Sequence, residues 1–186
     1  MFIPQVARRL LQNYSKKSDT ICDIFCGSGT ALVESRILGR NAYGIDLNPL
    51  AAFLAKVKTT EINPSILNKE YFRLLDRIEK IKNDGIKRPD FFNINFWFKE
   101  DVLIKLAKIK KAINKIEQEN IRNFFFAAFS ETVRHSSNTK NGEFKLVKMP
   151  ADKLKNYNPD VVHIFKRKVE SNIQAIEEFY KNVDKN

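Results

Sequence analysis

Apolar positions recur with helical spacing at Val6, Leu10 and Tyr14, behind Pro4, a residue suited to a first helical turn. SKKSD is polar and ends that segment. TICDIF, Thr20 to Phe25, is a short apolar run with strand character, and CGSG turns the chain. TALVESRIL then reads as a helix, with Gly39 placed to cap its C-terminal end. NAYGIDL, Asn41 to Leu47, predicts a second strand. Asn48 and Pro49 form an N-cap and first-turn pair for the helix LAAFLAKV. Helix, strand, helix, strand, helix is the opening of an α/β fold with parallel strands.

Beyond residue 62 the pattern changes. Helices are predicted from Ser65 to about Asp84 (core candidates Leu67, Leu74, Ile78, Ile81), from Lys99 to about Gln118, and from Ile121 to about His135. In the second of these, Val102, Leu106, Ile109, Ile113 and Ile116 make a narrow apolar seam. NDGIKRPD reads as a loop, FFNINFWF as an aromatic cluster that either packs in the core or, as the lesser reading, stacks bases, and FKLVKMP as a short strand. Asn158, Pro159 and Asp160 open a last helix with the face Val162, Phe165, Val169, Ile173, Ile176 and Tyr180. The expected organisation is residues 1–62 as an α/β portion and residues 63–186 as a mostly helical insertion or extension. No internal repeat is visible.

Composition changes this picture in three ways. At 186 residues, 43% hydrophobic and 30% charged, the chain is long and apolar enough for a real core. No run approaches membrane-spanning length and the N-terminus lacks an apolar signal segment, so no membrane partner and a cytoplasmic location are expected. Cys22 and Cys26, four apart across a strand and its turn, make a poor disulfide and an incomplete metal site; no metal is expected. The net charge of +11 favours a polyanionic partner, nucleic acid first, although a lysine-rich codon bias produces the same excess.

The candidate chemistry lies in DIFCGSGT, Asp23 to Thr30. A glycine turn between strand and helix presents free backbone N–H groups. The dinucleotide spacing fails, because Leu32 stands where the third glycine would be, and GSGT lacks the lysine of a phosphate-binding P-loop. What remains is D-x-F-x-G-x-G-T followed by Asp46 at the end of the next strand. This pair resembles the S-adenosylmethionine (SAM) methyltransferases, and more closely the DNA amino-methyltransferases, whose first motif reads like DPFCGSGTT. The likeness continues through LVESRILGRNAYGIDLNPLAAFLAKVKTT, and FIPQ resembles the segment those enzymes place near the methionine end of SAM. It is fainter over FFFAAFSETVRHSSN, NGEFKLVKMP and FKRKVE.

The resemblance implies the start of a Rossmann-like methyltransferase fold and a set of cofactor contacts. Asp46 would accept the ribose hydroxyls, and Leu47 would pack on the adenine beside Asn48. Asp23 would hold the turn or meet the cofactor ammonium, and Phe25 would form an apolar wall. Gly27 and Gly29 would allow close approach, Ser28 and Thr30 would supply hydroxyls, and Cys26 is a turn residue within the same segment. Phe2, Ile3 and Pro4 would border the methionine end. The family's catalytic D/N/S-P-P-Y/F loop has no counterpart: no two of the six prolines are adjacent, and NPD at 158–160 is the nearest imitation. No catalytic residue is therefore assigned. The sheet is expected to be incomplete, with a bare edge on strand one, and the chain alone to be inactive. A second polypeptide or a covalent continuation would carry the catalytic half, and DNA would be the substrate within a restriction-modification system.

Other readings stay open: an RNA methyltransferase fragment, or a non-catalytic module that binds SAM or a partner. On the helical segment, Lys108, Lys111 and Lys115, bordered by Lys105, form a stripe away from the apolar seam. It is either a solvated face or a phosphate-contacting one. Lys166, Arg167 and Lys168 form a second basic cluster, and Arg134 and His135 adjoin the polar loop SSNTKNGE.

Overall fold

The computed structural model describes residues 3–140 and 145–183. Phe2 and the stretch 141–144 lie outside the described residues. The chain divides into two compact units, Met1–Ile66 with Ile173–Asn186, and Leu67–Asn172.

The first unit is the α/β part. It contains α1 (Pro4–Tyr14), β1 (Thr20–Asp23), α2 (Thr30–Ile37), β2 (Asn41–Gly44) and α3 (Pro49–Thr59). Pro4 opens α1 at its first turn, where its missing N–H costs nothing. At the other end of α1 the Arg40 guanidinium donates to the carbonyl of Ser15 (2.9 Å) and to that of Leu11 (3.3 Å), which also accepts from Ser15 N–H at 3.0 Å. Asn48 caps α3 by accepting from Leu50 N–H at 3.0 Å. β1 and β2 pair in parallel, with Ile21 opposite Ala42 and Asp23 opposite Gly44. Both strands are shorter than the apolar runs that predict them: the chain turns at Ile24, and beyond the end of β2 Ile45 bonds to Asp23 and Cys26.

α2 packs on both strands and on α1 and α3. Cys26, Leu32 and Ala55 form a small buried cluster with Ala42 against it. On α1, Ala7 and Leu11 are the buried positions, whereas Val6, Leu10 and Tyr14, predicted as its apolar face, are exposed. The carbonyls of Asp19 and Asp23 accept from Asn41 and Ile45 on the β2 side. The alternate residues Thr20, Cys22 and Ile24 consequently direct their backbone groups to the other edge of β1. Among the described residues the sheet has two strands.

The second unit is helical: most of α4 (Pro64–Lys80), α5 (Ile94–Trp97), α6 (Glu100–Ile113), α7 (Glu119–Ser136), α8 (Ala151–Asn156) and the first half of α9 (Val161–Val183). The predicted seam of α6 is buried along its whole length, Val102, Leu106, Ile109, Ile113 and Ile116, and Phe124, Phe125, Phe165 and Val169 complete the core. Tyr71 is buried and its hydroxyl donates to Glu170 at 3.0 Å. Tyr157 donates to the carbonyl of His135 at 2.7 Å.

Several expectations are corrected here. The buried face of α9 is set by Val161 and Phe179 rather than Val162 and Tyr180, one residue away at each end. The described part of FKLVKMP is not a strand; Lys148 makes an isolated antiparallel bridge to Thr139. FFNINFWF is not core: it folds as α5 and its flanks, and Phe91, Phe92 and Phe96 are exposed. Phe96 instead lies under the ammonium of Lys148, 4.0 Å from the ring centre. α6 ends at Ile113, so Lys115 falls in the following turn, not on the helix.

Candidate functional site at the ends of the paired strands

The two parallel strands end on the same side of the sheet, which places the DIFCGSGT turn beside Asp46–Asn48. In open α/β sheets this carboxyl end is where ligands bind. Asp46 joins the two turns. Its Oδ2 accepts from Gly27 N–H at 2.8 Å, and its Oδ1 accepts from Asn48 N–H at 2.8 Å. A carboxylate has about four lone-pair directions, so each oxygen keeps acceptor capacity after these bonds. Asp23 does the same locally: its Oδ1 accepts from Phe25 N–H at 3.1 Å and fixes the start of the turn.

The two turn glycines serve different ends. Gly27 has φ +51° and open space where a Cβ would stand. Gly29 has φ +84° and lies against α3, where a Cβ would sit 2.8 Å from Ala55 Cβ and 2.9 Å from its Cα. Gly27 thus leaves open space beside the turn, and Gly29 lets α3 approach. Both conformations are left-handed, where a side chain is costly.

Of the other predicted residues, Phe25 is 83% exposed and Leu47 fully so. Ser28 and Thr30 are half-buried, and Ile3 and Pro4 are exposed at the start of α1. Cys26 departs from the set. Its side chain is buried in the cluster with Leu32 and Ala55, and its N–H donates to Ile45 at 3.0 Å. It offers a ligand neither its thiol nor its amide. Burial, with Asp46 and Asp23 nearby, pushes the thiol up, so it is not a nucleophile. Ala55 escaped the sequence reading. Its signal is the run of small residues in LAAFLAKV, whose function becomes visible only when Gly29 is placed on it.

The candidate nucleic-acid residues lie in the helical unit. Lys111 and Lys115 are exposed and Lys108 is half-buried; Lys105 is paired with Asp101 at 3.2 Å. In the second basic cluster Lys168 is paired with Glu131. Among the described residues no group of His, Cys, Asp and Glu could hold a metal, and no helix is long and apolar enough to cross a membrane.

Residues 4–57, which contain this whole constellation, match the family model for DNA methylases of the N6/N4 type. The Type II methyltransferase M.MvaI of Kocuria varians is 41% identical over 194 residues, covering 99% of this chain and 43% of the relative. The chain is related to the DNA amino-methyltransferases. The Type II methyltransferase M.MjaII of Methanocaldococcus jannaschii is 38% identical over 81 residues, 44% of this chain and 15% of that protein. Ribosomal protein L11 methyltransferase of Clostridium perfringens is 34% identical over 106 residues, 56% of this chain and 31% of that enzyme. The chain thus spans less than half the length of each of these relatives. No solved structure matches it. The likeness to M.MvaI runs through the helical unit as well as the glycine turn, whereas the family model stops at residue 57.

Proposed function

We propose that this chain is the SAM-binding portion of a DNA methyltransferase that acts on an exocyclic amine, adenine N6 or cytosine N4, within a restriction-modification system. The observation that carries the reading is the Asp46 bridge. One carboxylate holds the glycine turn and the second strand-end turn together and still has acceptor capacity for the ribose hydroxyls. Phe25 and Leu47 offer exposed apolar surface to the adenine, and Ser28, Thr30 and the open space at Gly27 face the rest of the cofactor. The N-terminus of α2 adds its free N–H groups and positive dipole end. The relationship to Type II DNA methyltransferases supports DNA as the substrate.

On this reading the two-stranded sheet is part of a larger Rossmann-like sheet, and the residues that hold the target base lie outside this chain. SAM supplies an activated methyl group. This chain's residues bind and orient the donor, and the acceptor amine must be brought to it by groups with the role of the absent P-P-Y/F loop. The open edge of β1 at Thr20, Cys22 and Ile24 is where a further strand would pair.

The test is calorimetric titration of the chain with SAM. Asp46→Ala should weaken binding by about 2–4 kcal/mol, from roughly 1.5–3 kcal/mol for one hydrogen bond to a charged acceptor, partly compensated by water. Asp46→Asn, which retains one acceptor oxygen, should lie between wild type and Asp46→Ala. Equal affinity in all three proteins would remove Asp46 from the site. Absence of SAM binding by a folded wild-type chain would remove the cofactor assignment.

A further inference from the structure

A cavity of about 530 Å³ in the helical unit lies between the 85–91 loop, α6 and α7. Its size is that of small-ligand sites. Phe98, Leu106 and Phe129 line its apolar interior, and Phe91, 48% exposed, stands on the loop beside it. Lys87, Arg88, Lys110 and Lys111 also line it, with Asn114, and no carboxylate does. Arg88 is engaged by Glu100. Lys87, Lys110 and Lys111 make no ion pair among the described residues. The adjoining cleft, which shares Arg88, Pro89 and Leu103, is lined also by Asp90 and Glu100, so the positive potential is confined to one side.

The surrounding unit has the same bias. Residues 67–172 hold 23 Lys and Arg against 14 Asp and Glu, a surplus of nine within the chain's net +11. An apolar, aromatic interior with unpaired ammonium groups around it is complementary to a flat apolar group that carries an anion. A nucleotide has that form. Its base can stack on an aromatic ring, and its phosphate can take the lysines.

We propose that this cleft binds a nucleotide of a DNA strand, with the phosphate at Lys110 and Lys111 and the base against Phe91. The choice of DNA rests on the function proposed above; the cleft itself shares no residue with the SAM site. Lys87 closes the cationic side from the loop. Of the α6 lysine stripe, only Lys111 belongs to the cleft. Lys108 and Lys115 lie outside its lining and provide an internal control of equal charge.

The experiment is fluorescence anisotropy of a labelled single-stranded oligonucleotide with the full chain, without SAM. The substituted residues are exposed apart from half-buried Lys108, and circular dichroism checks that each variant is folded. Lys110→Glu with Lys111→Glu should weaken binding at least ten-fold and reduce the slope of log K against log salt by about 0.7, the value for one lost phosphate contact on a single strand. Lys108→Glu with Lys115→Glu should have a clearly smaller effect. Phe91→Ala should lose roughly five-fold or more, the lower end of the effect of one base–aromatic stack. Deoxycytidine or deoxyadenosine monophosphate should compete at lower concentration than inorganic phosphate.

Equal losses in the two lysine pairs would reduce the cleft to general surface charge and overturn the proposal. So would an unchanged Phe91→Ala, inorganic phosphate competing as well as the nucleotides, or no binding of DNA by the wild-type chain. Because SAM is absent from the assay, loss of the cofactor assignment in calorimetry leaves this result standing, and failure here leaves the cofactor assignment intact.

Discussion

Replacing Gly27 and Gly29 separately by alanine should separate ligand access from folding, two roles that the motif G-x-G leaves merged. Both residues have positive φ, +51° and +84°, so either alanine incurs a left-handed conformational cost of about 1–2 kcal/mol. The new methyl at Gly27 meets nothing within 4 Å, so the cost ends there. At Gly29 it meets Ala55 Cβ at 2.8 Å and Cα at 2.9 Å. A backbone carbon cannot rotate away, so α3 must move off the turn, which adds about 1–3 kcal/mol of overpacking. Gly29→Ala should therefore be destabilised by roughly 2–5 kcal/mol in all. The assay is amide hydrogen exchange at Cys26 and Ile45, whose N–H groups bond across the two strands, alongside calorimetry with SAM. Gly27→Ala should keep most of its exchange protection and lose cofactor affinity, because its methyl occupies the open side. Gly29→Ala should lose protection first. Protection in Gly29→Ala equal to or above that in Gly27→Ala would refute the assignment of Gly29 to helix packing.

Three further outcomes follow from the structure. Iodoacetamide should modify exposed Cys22 well before buried Cys26; because burial raises the Cys26 thiol, neutral burial favours the fold at neutral pH and that contribution fades as pH rises through the thiol's folded value, so Cys26 labelling should appear only at alkaline pH, and equal rates near pH 8 would contradict the packing. Tyr71→Phe should lower stability by about 1 kcal/mol through loss of the bond to Glu170; burial, reinforced by that bond, pushes the Tyr71 hydroxyl up, so the difference from wild type should be present below the ordinary tyrosine range and shrink only in strong alkali, as urea unfolding at several pH values would report. Purified chain mixed with SAM and mixed-sequence DNA should transfer no tritiated methyl, as expected from a sequence in which no two prolines are adjacent to form a P-P-Y/F loop; turnover by the chain alone would sink the partial-enzyme reading.

The parts of the fold legible in the sequence are those set by short-range rules. α6 was readable because its seam alternates four and three residues apart, and a single buried stripe fixes a helix's orientation. The turn at Gly27 and Gly29 was readable because positive φ selects glycine. α1 was mistaken in its buried face because it has two candidate stripes. Ala7 and Leu11 face α2, where Arg8 also pairs with Glu34 at 2.6 Å, while the larger Val6, Leu10 and Tyr14 remain outside. Size alone suggested the opposite orientation; the choice is made by a partner helix. α9 is displaced by one residue for a related reason, since Val161 and Val162 satisfy the same period equally well and only the packing distinguishes them.

The site shows the same division between local and distant information. Asp46 could be singled out by its position after a strand, but its bond to Gly27, nineteen residues away, depends on the parallel register of β1 and β2. That register also decides what Cys26 does. With its N–H held by Ile45 and its thiol in the cluster with Leu32 and Ala55, the residue in the middle of the glycine turn is a packing residue. Its neighbours are thereby fixed with the opposite orientation: Phe25 projects into solvent on one side, and Gly27 presents its N–H to Asp46 on the other. Burying one side chain of a short turn thus sets the direction of its two neighbours. This is how a segment with few packed atoms of its own can hold an exposed aromatic ring and an open glycine beside the Asp46 carboxylate.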